Sequence, residues 1–390
     1  MTMDRRTLLR TGGLGVVALG LGGCSARGTT VASGLPPRAP SLAPVRVSPD
    51  RVIRTTVGLR PFRPSGFVVR AERLDLKTVV HNYGHGGAGH SLAWGTASLA
   101  TELALEHDER VAAVLGCGVV GLTTARELQS KGFQVTLYAR AIPPDTTSNM
   151  AWASFTPESG LFAPGGRTVE WNGQFRRAAV RGYERLQLLV GQGYGVSWID
   201  SYSFTNRPPR AAAADGADDL LLPASLRRAA EILGPGHHPF PSRYARRRPT
   251  LRIEPNRYLA ELMDDVREAG GRIVIRELRD RGDLMSLDER LLVNCTGLGS
   301  RELFGDSELT PVKGQITLLV PQPEVNYATF GGVPGGPGGG GFPIHMMPRS
   351  DGIALGGTSE RGVSSLAPNQ EARRQILEAS RELFDAMAPG

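Results

Sequence analysis

Three clusters in this sequence combine residue types and spacings that chemistry can use. Gly116-Cys117-Gly118-Val119-Val120-Gly121 follows the apolar run Val111 to Leu115 and opens a segment of helical spacing, Val119 to Lys131. Glycines in this pattern let the main chain turn tightly and approach a pyrophosphate, whose charge a helix N-terminus meets. The pattern therefore predicts a dinucleotide site at Gly116, Gly118, Val119, Val120 and Gly121; a tight turn without ligand is the simpler alternative. Arg60, in Gly58-Leu59-Arg60-Pro61-Phe62-Arg63-Pro64, offers two parallel donors to a carboxylate, or else is an ordinary surface arginine in a proline-bounded strand. His81-Asn82-Tyr83-Gly84-His85-Gly86-Gly87-Ala88-Gly89 places two histidines four apart in a glycine turn, but no third ligand accompanies them. Cys117 and Cys295 make no metal-ligand spacing with the histidines, so no metal is expected.

These clusters need a frame, and the apolar patterning supplies one. Val111 to Leu115, the glycine loop, the helix Val119 to Lys131 and a strand Val135 to Tyr138 form a βαβ start. Ser91 to Leu105 reads as a helix, Tyr258 to Ala269 as an amphipathic helix followed by a strand at Arg272 to Ile275, and Glu371 to Met387 as the last helix. Leu291 to Val293 is a buried strand that ends in Asn294-Cys295-Thr296-Gly297. Ala211 to Asp219 is small and acidic, a surface loop, and Gly331 to Gly341 holds eight glycines and two prolines, a mobile loop. The fold class is α/β, and 390 residues suffice for one large or two intimately joined domains.

The first residues read as an address. Arg5-Arg6 precedes a weakly apolar run from Thr11 to Gly23, too short to span a membrane comfortably, and resembles a twin-arginine export signal. Leu21-Gly22-Gly23-Cys24 looks like a lipoprotein cleavage box with Cys24 as the lipidated residue; the alternative is cleavage nearby without lipidation. Ser25 to Ser48, rich in Pro, Ser, Ala and Gly, is expected to be a flexible tether at an extracytoplasmic membrane surface. The net charge of +7 comes from dispersed arginine clusters without interleaved aromatics, so a nucleic-acid partner is not expected. With two cysteines after Cys24, a disulfide framework is not expected either.

The second strand ends at Tyr138-Ala139-Arg140, where an arginine by itself suits the 2′-phosphate of NADP. The stretch from Tyr138 to Asn149, however, resembles the FAD-binding segment of the D-amino-acid oxidase family. The match implies FAD, with Arg140, Thr146, Thr147 and Ser148 on its adenosine and pyrophosphate. Thr296 and Gly297 match the family's second flavin motif, and Gly86, Gly87, Ala88, Gly89 and Ser91 match positions whose main chain contacts the flavin. The helix after them would point its positive end at the flavin O2 region. Gly58 to Pro64 resembles the family's substrate-anchor strand, which makes Arg60 the partner of the substrate carboxylate, and His345 stands where a carboxylate-binding tyrosine is usual. A histidine there would carry a pH-dependent charge. Gly331 to Gly341 stands in place of the lid.

In that family the segment resembling His81 to Gly89 lies at the C-terminal end, so the chain resembles a circular permutation. The implied fold is an FAD-binding Rossmann-like domain of glutathione-reductase type, interwoven with a mixed-sheet substrate domain. Its parts are an export signal at 1–24, a linker at 25–48 and one oxidoreductase domain at 49–390. That domain comprises a permuted segment at 49–110, the βαβ unit at 111–150 and the remaining parts at 151–390. The implied reaction oxidises a D-amino acid or related amine by hydride transfer from Cα to flavin N5, with O2 reduced to H2O2. Two alternatives stay open: a dehydrogenase that passes electrons to a quinone or protein acceptor, and a binding protein with a non-catalytic flavin.

Overall fold

A computed structural model describes residues 40–163, 165–208, 221–335 and 344–388. The export signal with Cys24, the tether as far as residue 39, the loop at 211–219 and the 336–341 part of the glycine run lie outside the described residues. In chain order the elements are β1 (Val52–Phe62), β2 (Val68–Leu74), β3 (Lys77–Tyr83), α1 (Gly89–Ala104), β4 (Val111–Leu115), α2 (Val119–Ser130) and β5 (Gln134–Ala139). There follow α3 (Val169–Leu188), β6 (Val196–Thr205), β7 (Glu231–Leu233), β8 (Tyr244–Ile253), α4 (Pro255–Glu268), β9 (Arg272–Ile275), α5 (Arg281–Met285) and β10 (Leu291–Asn294). The chain closes with α6 (Ser300–Phe304), β11 (Thr310–Leu319), β12 (Tyr327–Phe330), β13 (His345–Arg349), β14 (Gly352–Gly356), β15 (Glu360–Arg361) and α7 (Gln370–Asp385).

Six strands form the nucleotide sheet in the order β2-β3-β10-β4-β5-β9. From β3 to β9 neighbouring strands run parallel, and β2 pairs antiparallel with β3. Strand order reverses at β4, so the carboxyl ends of β4 and β10 flank a crevice of the kind that receives ligands in open α/β sheets. Helices α1 to α4 cover one face through Leu92, Leu122, Phe175 and Leu262, while Leu284 of α5 and Leu303 of α6 pack on Val79, Ala113 and Leu292 of the other. These helices end where their residues dictate. Thr168 Oγ1 accepts from Trp171 N at 3.2 Å to cap α3, Pro255 starts α4, and Asn369 Oδ1 accepts from Ala372 N at 3.0 Å to cap α7.

The second sheet runs β1-β11-β14-β13-β12-β6-β8-β7, with β15 on β11. Its outer face is closed by Ile376, Leu383 and Phe384 of α7. Here the structure corrects the tether. Leu42, Val45 and Val47 are buried in that same core, Arg46 N donates to Gln322 Oε1 at 2.8 Å, and Tyr327 Oη donates to the Ala43 carbonyl at 3.0 Å. The prolines and small residues of this stretch suggested a free chain, but its three spaced apolar side chains find a sheet face to cover.

Candidate active site

A cavity of about 1270 Å³ runs from the β4/β10 crevice to the inner face of the second sheet. At its nucleotide end Gly116 adopts φ +107°, which glycine alone tolerates easily, and a Cβ on Gly118 would stand 2.9 Å from Ser148 Oγ. Ser148 Oγ accepts from Val119 N at 3.0 Å, which leaves its own proton for an acceptor in the cavity. The N–H groups of Cys117, Gly118, Val120 and Gly121 have no partner in the described residues. They form a nest of donors at the start of α2, suited to a pyrophosphate. Arg140, exposed, and Thr147 line the same end, and Thr146 lines it while its hydroxyl donates to Asn149 Oδ1 at 2.7 Å.

Thr296 and Gly297 line the middle of the cavity, where Thr296 N and Oγ1 both donate to Asn294 Oδ1, at 3.1 and 2.7 Å. The threonine hydroxyl thus shapes the turn after β10. Three predicted contacts lie behind the wall. Gly121 is outside the lining because it packs on the Gly116 carbonyl, where a Cβ would collide, and so holds α2 close to the sheet. Ala88 is fully buried ahead of α1. Ser91 Oγ donates to the Ser154 carbonyl at 3.2 Å and accepts from Thr156 N at 2.8 Å, so it ties α1 to the neighbouring loop. Gly86 and Gly87 do line the cavity, but their N–H groups donate to the carbonyls of Pro61 and Gly160, at 3.0 and 3.2 Å. Among the described residues, the N–H groups of Gly89 and His90, in the first turn of α1, have no partner.

At the far end Arg60 leaves β1 and lies over Gly314 of β11, the register partner of Gly58. Its Nη1 donates to the Thr358 carbonyl at 3.1 Å, and it makes no ion pair among the described residues. Burial lowers its pKa from the ordinary arginine value. His345 opens β13; Gly331 N donates to the Ile344 carbonyl at 2.7 Å and to His345 Nδ1 at 3.1 Å, and the same carbonyl faces the ring. The ring meets Trp152 at 5.6 Å and Phe330 at 5.2 Å between centroids. Burial first pushes the His345 pKa down, the Ile344 carbonyl works against that shift, and the Arg60 charge adds to it. The expected pH-dependent charge is thereby biased toward the neutral ring, beside a cation.

The family of FAD-dependent oxidoreductases named DAO matches residues 112–389. The chain belongs to this family. Among its relatives are D-aspartate oxidase of Homo sapiens, 30% identical over 268 residues, 68% of this chain and 73% of that protein, and D-amino-acid oxidase of Rubrobacter xylanophilus, 31% identical over 282 residues, 68% of this chain and 74% of that protein. Among solved structures, glycine oxidase from Bacillus cereus aligns with a TM-score of 0.49 at 15% identity, over 71% of this chain and 79% of that one.

The cofactor of this FAD-dependent oxidoreductase is FAD, and the residues present fit it. The donor nest at α2 suits the pyrophosphate, and the cavity exceeds the usual ligand pocket of roughly 300–1,000 Å³ by enough to take a small substrate as well. Sequence reasoning missed the walls of the far end: Trp152, Phe330, Gly314, Thr358 and Arg361 all line it. Trp152 carries no local signal. Gly314 becomes visible only when the β1/β11 register sets it beneath Arg60.

Proposed function

We propose that this chain oxidises D-amino acids with FAD as electron acceptor, that O2 takes the electrons onward, and that the enzyme works outside the cytoplasm, held to the membrane by a lipid on Cys24. The observation that carries the reading is Arg60, a guanidinium inside the cavity with no carboxylate partner among the described residues. The names of the two curated relatives above support the substrate class.

Bound FAD supplies the two-electron acceptor. The chain's own groups do the positioning. Arg60 takes the substrate carboxylate through two parallel donors, and the His345 ring adds a further one. Gly89 and His90 N–H, at the positive end of α1, stabilise negative charge in the middle of the cavity. Trp152 and Phe330 exclude water around His345. Arg140, Thr147, Ser148 and the α2 donors hold the adenosine and pyrophosphate.

The segment order fits a circular permutation, since the family match begins at residue 112 while β1, β2, β3 and α1 precede it and complete both sheets. Joining residues 49–110 behind residue 388 should give a protein that still binds flavin; one that neither folds nor turns yellow would count against the permutation.

Anaerobic titration of the purified protein with D- and L-amino acids tests the activity. Bleaching of the flavin band by D-amino acids alone is expected, and a yellow protein that no amino acid bleaches overturns the reading. Oxygen uptake on readmitting air separates an oxidase from a dehydrogenase. Cys24→Ser should move the enzyme from the membrane fraction to the soluble one.

A further inference from the structure

We infer that the indole N–H of Trp152 donates to the substrate α-carboxylate, beside Arg60 and His345. This rests on the assignment of that carboxylate to Arg60. Trp152 lines the cavity, yet its Nε1 is shielded from water and has no hydrogen-bond partner among the described residues. A shielded N–H without an acceptor is costly, and a buried tryptophan usually finds one. Trp94 and Trp171 do so within the fold: their Nε1 atoms donate to Tyr258 Oη at 2.7 Å and to the Phe67 carbonyl at 2.9 Å. The rings of His345 and Phe330 meet the Trp152 indole edge-on, at 5.6 and 6.0 Å between centroids, which packs the ring but offers its nitrogen no oxygen. The acceptor has to come with the molecule that fills this end of the cavity.

The main chain holds the indole in that place under strain. Ala153, the next residue, adopts φ +54°, a left-handed conformation that a residue with a Cβ rarely takes. Bonds on both sides keep it there: the Ala153 carbonyl accepts from Ile253 N at 3.0 Å, Phe155 N donates to the Leu251 carbonyl at 2.9 Å, and Arg349 Nη1 donates to the Ala151 carbonyl at 3.3 Å. Strain maintained in this way at a cavity wall marks a side chain that the site needs in position. The neighbours of the indole decide which acceptor it meets. It packs on His345, and His345 lies within reach of the Arg60 charge, so the three side chains adjoin one another. A carboxylate presents about four lone-pair sites; Arg60 takes two through parallel donors, which leaves sites for single donors from His345 and Trp152.

The test titrates the holoenzyme by calorimetry with isobutyrate, which is D-alanine with a methyl in place of the ammonium, and with its uncharged isostere isobutyramide. Trp152→Phe keeps an aromatic wall and removes the N–H. It is expected to weaken isobutyrate about tenfold and isobutyramide no more than about threefold, because a charged acceptor gains roughly twice as much from a donor as a neutral one. The KM for D-alanine should rise about tenfold as well, with the thermal melt nearly unchanged. Isobutyrate affinity that Trp152→Phe leaves intact, or equal losses for the two ligands, overturns the inference. Arg60→Gln tests the reading beneath it. Isobutyrate binding lost in Arg60→Gln but kept in Trp152→Phe sinks the inference and leaves the Arg60 assignment standing. Binding that survives Arg60→Gln but falls in Trp152→Phe sinks that assignment and leaves the indole as the carboxylate's donor.

Discussion

Arg60 is placed by an absence. The strand facing it offers Gly314, and a Cβ there would come within 2.5 Å of Arg60 Nη2. That atom is the far end of a flexible side chain, so Gly314→Ala should displace the guanidinium without disturbing the sheet. The expected result is a KM for amino acids raised about tenfold, with the melting temperature nearly unchanged, against a loss of about a hundredfold for Arg60→Ala. Steady-state kinetics beside a thermal melt would decide it, and an unchanged KM in Gly314→Ala would show that the arginine has other ways to its place. Arg60 itself was legible in the sequence because the resemblance of Gly58 to Pro64 to the family's substrate-anchor strand rests on neighbouring residues. Its glycine bed was not, since residues 60 and 314 meet only through the register of two strands far apart in the chain.

Among the elements, α1 carries the closest constraint. It crosses α3 with a glycine from each helix at the contact: a Cβ on Gly95 would run into the Ala178 main chain, and one on Gly182 into the Ser91 carbonyl. Main chain cannot step aside as an arginine tip can. Gly95→Ala should therefore separate the helices, cost about 1–3 kcal/mol of stability and shift the first turn of α1, weakening flavin retention. Denaturant unfolding and the flavin released on dilution measure the two effects, and a variant as stable as its parent would mean that the crossing relaxes freely. The helix was readable from its apolar spacing, with its start two residues earlier than the pattern suggested. Its all-round burial was not, because periodicity reports one partner and α1 packs against β2, β3, α2 and α3 together.

Across the whole molecule, burial of basic groups sets the response to acid. Desolvation pushes His85 down to about 3; the same cause, followed by the charge of Arg349, pushes His90 down to about 4. The unfolded chain would protonate both near their ordinary value, so it binds more protons than the fold as pH drops below about 6.5. Stability is retained above that pH and falls through the window down to about 4, by about 1.4 kcal/mol per pH unit for each histidine. Thermal melts between pH 7 and pH 4.5 should show a steep decline, and a flat profile would mean that these rings reach solvent.

The sequence by itself determined the α/β class, the βαβ start at residues 111–139 and the glycine loop that makes its dinucleotide end, because each depends on residues close together in the chain. It also determined the family, whose motifs are local in the same sense. Tertiary structure alone decided which glycine N–H groups remain free for a ligand, that residues 42–47 belong to a core, and that Arg60, His345 and Trp152 share one cavity. These depend on strand register and on which carbonyls come within reach. Both are settled by how the two sheets pair and pack, and no stretch of neighbouring residues contains that information.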